Sequence, residues 1–404
     1  MKNYAAILIS FCSLALTAQN NFVLPNSSNQ LILNSYGGVG SSGITQKFMN
    51  KFLFPDYIDK DLKDETLEIL NERNLFGGSA YGQLNLFFTP KNYSAKSSEI
   101  FGIGFSSNLE GDLSFTKDLF KLTFYGNQPF AGEYLSLDKT SFNTVSYSNI
   151  EFSIGKTMSG EKARKSLWMD LGLVLGHSFT NFELEKASIY TEENGDYLDI
   201  NIENSKFHFS DTLSLSIVQG FGAKLDLHYS YQTENTTLLF SAENLGGILW
   251  NNTTAASLDT SLKFEGIEIG SIFQLSDSVL NKVSTLDSLI KIESGSSFKA
   301  LPINLTAYFQ KELNLFKIDF LLRYRVYSNF APYARFGANL NLPVFQPGIS
   351  VAYGGYSNIQ AGINADIKLL KKIKIQVGTN NVLGALIPNS STALDAYAGM
   401  RLKF

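Results

Sequence analysis

The residues that could carry out chemistry are few and poorly arranged for it. The three histidines, His177, His208 and His228, include no i, i+4 pair, so the helical ligand set of a zinc hydrolase is missing. No Gly-x-Ser-x-Gly elbow and no phosphate-binding loop occurs. A membrane-embedded hydrolase needs a histidine oriented by Asn or Asp beside a nucleophile, and nothing marks such a set. The single cysteine, Cys12, lies in an N-terminal apolar run, preceded by bulky Phe11 where lipoprotein processing requires a small residue. Without that run the chain has no thiolate for a disulfide or a metal. The sequence therefore predicts no catalytic residue, no cofactor, no metal site and no enzyme.

What it does offer is charge on alternate positions. Phe221, Ala223, Leu225, Leu227, Tyr229 and Tyr231 interleave with Gly222, Lys224, Asp226, His228, Ser230 and Gln232. Phe316, Ile318, Phe320, Leu322, Tyr324 and Val326 interleave with Lys317, Asp319, Leu321, Arg323, Arg325 and Tyr327, and Ile359 to Leu369 repeats the pattern with Asp366 and Lys368 on its polar face. Period-two alternation means strands with one apolar and one polar face. Strands of a soluble sandwich average about five or six residues, whereas these run to ten or more, the length a tilted strand needs to cross a bilayer. The apolar face then meets lipid and the charged face meets a lumen. The fold class is all-β: a transmembrane antiparallel β-barrel with short loop helices.

Fourteen wall strands are expected, near 79–88, 99–108, 145–155, 167–178, 219–231, 236–245, 258–269, 302–311, 315–327, 331–341, 345–354, 357–369, 371–380 and 393–404. The last one ends on Phe404. Tyr397, Gly399, Leu402 and Phe404 are spaced as in the terminal signal by which insertion machinery recognises such barrels. Gly126-Asn127 stops the segment 118–125, which is read as a loop helix.

The remaining segments set the context. Lys2, the apolar run from Ala5 to Leu16 and the small residues ending at Ala18 read as a secretory signal peptide over residues 1–18. Residues 19–78 form an N-terminal segment with a helix from Asp56 to Asn74, either a plug or a periplasmic lead-in; residues 79–404 form the barrel. Asn194-Gly195 marks a hairpin within 183–210 that projects as a flap. Residues 276–291 place Val279, Leu280, Val283, Leu286, Leu289 and Ile290 on one helical face. A net charge of −4 without a basic tract excludes nucleic acid as a partner.

The lumen-lining charges expected from this pattern are Lys224, Asp226, His228, Lys317, Asp319, Arg323, Arg325, Arg335, Asp366, Lys368, Arg401 and Lys403. Eight cations, Lys317, Arg323, Arg325, Arg335, Lys368, Lys374, Arg401 and Lys403, crowd the C-terminal strands. They constitute either an anion-attracting constriction or, as favoured here, ion pairs with Asp319, Asp366 and Asp395 that fill the lumen, because an unpaired buried charge is costly.

Residues 238–251, with Glu243-Asn244-Leu245-Gly246-Gly247-Ile248-Leu249-Trp250-Asn251, resemble a segment of an uncharacterised Bacteroidota outer-membrane barrel family. That family is related at fold level to long-chain fatty-acid transporter barrels and to the attachment barrel of the type IX secretion system. Leu301 to Leu305, Tyr125 to Phe130 and Tyr356 to Gly362 follow in the same order. The sequence departs at Gly247, where an aromatic is usual, and across the N-terminal segment. The resemblance implies an outer-membrane location, with lipid, lipopolysaccharide and the barrel assembly machinery as partners. It implies uptake of a hydrophobic small molecule through a lateral or plugged channel or, alternatively, a non-enzymatic docking subunit in a stable outer-membrane protein complex.

Overall fold

The structure, a computed structural model, describes residues 29–54, 56–90, 97–210, 217–264, 291–369 and 372–404. The expected signal peptide and nearly all of the expected helix 276–291 lie outside the described residues. Seventeen strands form one antiparallel sheet: β1 Gln30–Ser41, β2 Arg73–Phe88, β3 Ser97–Thr116, β4 Tyr134–Ser136, β5 Thr140–Ser159, β6 Arg164–Thr191, β7 Leu198–Ser210, β8 Gly220–Gln232, β9 Thr236–Phe264, β10 Lys291–Ala300, β11 Ile303–Glu312, β12 Phe316–Val326, β13 Ala331–Leu340, β14 Phe345–Gly355, β15 Ser357–Leu369, β16 Ile373–Thr379 and β17 Ala393–Lys403. Fourteen of them close into a ring. β17 pairs with β1, and β1 with β2, through eleven and twelve residue pairs. Closure gives each ring strand a hydrogen-bonded neighbour on both sides, as a lipid environment demands of backbone N–H and C=O groups.

The strand total agrees with expectation, but two of its members do not. Of the strand placed at 258–269, residues 258–264 are the far end of β9, continuous with 236–245, and pair with β7 rather than entering the ring, and 265–269 lie outside the described residues. The missing wall strand is β1, inside the segment expected to be a plug or lead-in. Its alternation is hidden because Ser35 and Gly37 occupy outward-facing positions between Leu33 and Val39, where a wall strand carries apolar side chains. Gly38 is required by packing: a Cβ there would lie 2.5 Å from both Asp395 Cβ and Tyr36 Oη. The wall thus begins at Gln30, not at residue 79.

The expected helix over Asp56–Asn74 is also different. Two helices occur, α1 Gln46–Leu53 and α2 Lys60–Ile69, the second capped by Asp59, whose side chain accepts from the Leu62 amide. Leu70 to Asn74 belongs to the connection and to β2. The loop helix at 118–125 is present as α3 Lys117–Tyr125, capped by Thr116 and ended by Gly126 at φ +80°. Phe48, Leu62, Leu70, Phe115 and Phe120 form one buried cluster. Because Leu113 and Phe115 alternate with lumen-facing Asp112, these helices cover the outside of the β2–β3 tip and do not plug the lumen.

Turns of three or four residues join β5 to β6, β8 to β9, β11 to β12 and β13 to β14 at one end, where β1 begins and β17 finishes. The long connections all lie at the other end. There β6 and β9, of 28 and 29 residues, continue past the ring and carry an open sheet in the order β4, β6, β7, β9, β10. The hairpin expected at 183–210 is the β6–β7 part of it, turning at Gly195 with φ +81°. Large apolar side chains point outward around the ring, including Ile103, Phe152, Leu171, Phe221, Leu305 and Val351, as an apolar belt requires.

Candidate functional site: the lumen

Three tiers of side chains cross the lumen. Nearest the long connections, the β12–β13 turn reaches over to β3. Ser328 Oγ donates to Asp112 Oδ2 at 2.8 Å and Asn329 Nδ2 to Asp112 Oδ1 at 2.7 Å. Asn329 also donates to Ser141, and Phe330 stands edge-on to Tyr356 with centroids 5.1 Å apart. The turn itself needs Tyr327 at φ +62°, a conformation that a residue with a Cβ adopts rarely.

The middle tier holds most of the charge. Arg325 pairs with Glu110 of β3 at 3.2 Å and donates from Nε to Asn304 Oδ1 at 2.8 Å. Lys224 sits between Glu151 at 2.8 Å and Asp226 at 2.6 Å. His228 Nε2 lies 3.1 Å from Asp170 Oδ2, with its ring stacked on Trp168 at 4.7 Å and 11°. These groups, with Glu243 and Arg323, line a cavity of about 200 Å³.

The tier nearest the short turns is a second set of ion pairs. Arg335 binds Asp319, both side chains 5–6% exposed, and Lys374 binds Asp366 at 2.7 Å. Lys317 pairs with Glu312 at 3.5 Å. Arg401 is half-buried in the same tier, whereas Lys368 is exposed and Lys403 half-buried at the rim.

Of the eight C-terminal cations, Arg335 and Lys374 pair with the expected Asp319 and Asp366, and Lys317 and Arg325 pair with Glu312 and Glu110 instead. Arg325, expected to serve Asp319 on its own strand face, instead meets Glu110 on a strand six places away in the ring of fourteen. Among the described residues, Asp395 forms no ion pair. It accepts from Asn380 N at 2.7 Å, Asn380 Nδ2 at 2.8 Å and Thr379 Oγ1 at 2.9 Å, amide and hydroxyl donors that disperse its charge. Glu110, Glu151 and Asp170 are additions that sequence reasoning missed. Ser106, Asn108, Glu110 and Asp112 alternate with Phe105, Leu109 and Leu113, interrupted by Ser107 and Gly111, so a weakened signal is present in β3. At the C-terminus, Tyr397 and Gly399 are buried while Phe404 is 56% exposed.

On the lipid side lies a second feature. A groove of about 490 Å³ is walled by Phe240, Leu305, Leu322 and Tyr324 and floored by Ala307 and Ala334. Beside it the β12–β13 ladder stops at Arg323 opposite Tyr333. The next position of β13 is Pro332, which has no N–H to donate. Arg323 borders both this groove and the lumen cavity.

Among curated proteins no sequence matches the chain. In fold it is similar to a TodX deltaS2S3 mutant monoaromatic hydrocarbon channel, with 10% identity, 96% of each chain covered and a TM-score of 0.47. It is similar also to the Pseudomonas putida toluene transporter TodX, with 9% identity, 94% of this chain and 88% of that one covered and a TM-score of 0.41. The Ralstonia pickettii toluene transporter TbuX gives 9% identity, 94% and 90% coverage and a TM-score of 0.41. One family model matches residues 22–380, and by that match the chain, a transmembrane barrel of the outer-membrane type, belongs to the family of unknown function DUF5723.

Proposed function

We propose that the protein resides in a bacterial outer membrane and passes a small hydrophobic molecule between the bilayer and its lumen through the wall at β12–β13. The observation that carries this reading is the groove interrupted at Pro332, with Arg323 shared between its inner edge and the lumen cavity. Its volume lies within the roughly 300–1,000 Å³ typical of small-molecule sites, whereas the lumen cavity falls below it. Aromatic and aliphatic walls suit an apolar body, and along the unladdered stretch of β12 the wall opens without breaking a β12–β13 ladder hydrogen bond. The lumen tiers oppose free passage of ions along the axis.

Filling the groove tests the proposal. Ala334→Trp adds bulk on the lipid-facing surface, where an aromatic is tolerated. Uptake of an apolar fluorescent probe into proteoliposomes should fall at least tenfold while the barrel remains heat-modifiable on gels. Unchanged uptake in a folded variant removes the route.

A second reading, a docking subunit, is favoured by the open sheet beyond the ring. It exposes Tyr134 at 70%, stacked on Tyr190 at 4.6 Å, a rigid aromatic surface that the wall does not need. Gentle purification from native membranes then yields a stoichiometric protein partner, and its absence weighs against this reading.

A further inference from the structure

We infer that the lumen holds a binding site for one divalent first-row transition-metal ion, formed by Asp170 of β6 with Asp226 and His228 of β8. The inference is independent of passage through the wall, and it departs from the sequence expectation of no metal site.

The first argument is placement. Asp170 and Asp226 stand directly opposite each other in the β6–β8 register, and His228 follows two positions along the same face. Like charges directly opposed across strands are destabilising, so this pairing asks for a cation. One ligand atom from each of the three residues lies within 4.8 Å of the others. Ligand atoms about 2.1 Å from a tetrahedral ion stand about 3.4 Å apart, so closure takes roughly an ångström of side-chain movement.

The second argument is unmet bonding. Among the described residues, Asp170 Oδ1 and His228 Nδ1 are enclosed by protein and have no hydrogen-bond partner, a costly state for buried polar atoms. The Asp226 oxygens accept from Lys224 and from the Asn244 amide, yet each keeps a second lone pair. Trp168 fixes the plane of the imidazole, as supporting groups around metal-bound histidines do.

The third argument is charge. Among the described residues the cavity is lined by five carboxylates, Glu110, Glu151, Asp170, Asp226 and Glu243, against three permanent cations, Lys224, Arg323 and Arg325. With His228 neutral, as a metal ligand must be, the deficit is two positive charges, the charge of one divalent ion. Lys224 lies close to Asp226 and repels a cation, but its ammonium is shared with Glu151. One imidazole with two carboxylates suits Zn²⁺, Fe²⁺ or Mn²⁺ better than Ca²⁺ or Mg²⁺, which prefer oxygen alone. The adjoining cavity leaves room for a water as a fourth ligand.

The test uses the full chain without an affinity tag, in detergent, stripped with a chelator and titrated with Zn²⁺ and then Co²⁺. One Zn²⁺ per barrel is expected, together with the visible absorption of Co²⁺ in a four-coordinate nitrogen–oxygen site. His228→Gln and Asp170→Asn should each weaken Zn²⁺ at least tenfold and abolish the Co²⁺ bands. Heat-modifiability on gels confirms that each variant is folded, and if one fails to insert, the other and the wild-type spectrum decide the matter. Glu243→Gln lies in the same cavity outside the triad and should retain the bands. Absence of stoichiometric binding, or loss with Glu243→Gln but not with His228→Gln, overturns the assignment.

Discussion

The two halves of the wall are built to different rules. From β11 to β17 the strands have 7 to 13 residues and adjacent ones are stapled by short-range pairs, Arg335 with Asp319 and Lys374 with Asp366. That is the length a bilayer requires, about 9–11 residues for a tilted strand, and little is left over. From β2 to β9 the ring strands other than β8 have 16 to 29 residues, and the surplus becomes helices, a turning flap and a sheet standing beyond the rim. The C-terminal half thus carries the closing strand and its ion-pair staples, while the N-terminal half carries the elements that stand beyond the ring. The two meet in the lumen, where Arg325 and the β12–β13 turn reach across to β3.

The severest lesion to the C-terminal half is a shortened closing strand. Deleting Leu402 to Phe404 removes the last pairs of β17 with β1 and β16 as well as the terminal aromatic. Loss of the protein from membrane fractions is expected, and normal levels would refute the role given to that strand. Arg335→Ala comes next. It leaves Asp319 buried without its cation, a change that costs roughly 3–5 kcal/mol, read as a lower temperature of gel shift. Arg325→Ala should cost a similar amount through Glu110 rather than Asp319, so adding Glu110→Ala should restore stability where Asp319→Ala does not. Its conductance in planar bilayers should stay low, because Ser328 and Asn329 still hold Asp112; a large increase would show that Arg325 alone blocks the lumen.

The N-terminal half should tolerate what the C-terminal half does not. Replacing residues 186–204 with a short glycine linker removes the flap but spares the β6–β8 and β8–β9 ladders of the ring. Insertion and heat-modifiability should be unchanged; failure to insert would mean that the outer sheet nucleates the wall. The smallest effect belongs to the helical cap. Lys60, 2.6 Å away, and then Tyr125 hold the Asp64 carboxyl below its ordinary value. A lowered carboxyl pKa stabilises the cap above the ordinary value of about 3.9 and ceases to do so as pH falls through the lowered one. Hydrogen exchange in α2 should therefore rise, for a given intrinsic rate, only in that acid range, and Asp64→Asn should reduce this dependence, the remainder being carried by the capping carboxylate of Asp59, which the Leu62 amide likewise holds below its ordinary value.

The class of fold is legible in the amino-acid order alone, because alternation is a local property and ten-residue runs of it suit little besides a strand that crosses a bilayer. The polar faces of β8 and β12, the α3 stop at Gly126 and the turn at Gly195 are legible in the same way, each set by residues next to one another in the chain. Ring membership is not. A strand such as β1, with Ser35, Gly37 and Gly38 on it, is recognisable only once β17 and β2 stand on either side, and β9 reads as two strands until β8 and then β7 are seen paired along its length. The ion-pair partners depend on tertiary structure for the same reason: Glu110 lies 215 residues from Arg325, and only curvature of the closed sheet brings them within 3.2 Å. The apposition of Asp170, Asp226 and His228 is likewise a matter of register between β6 and β8, which the intervening β7 excursion conceals in the linear sequence.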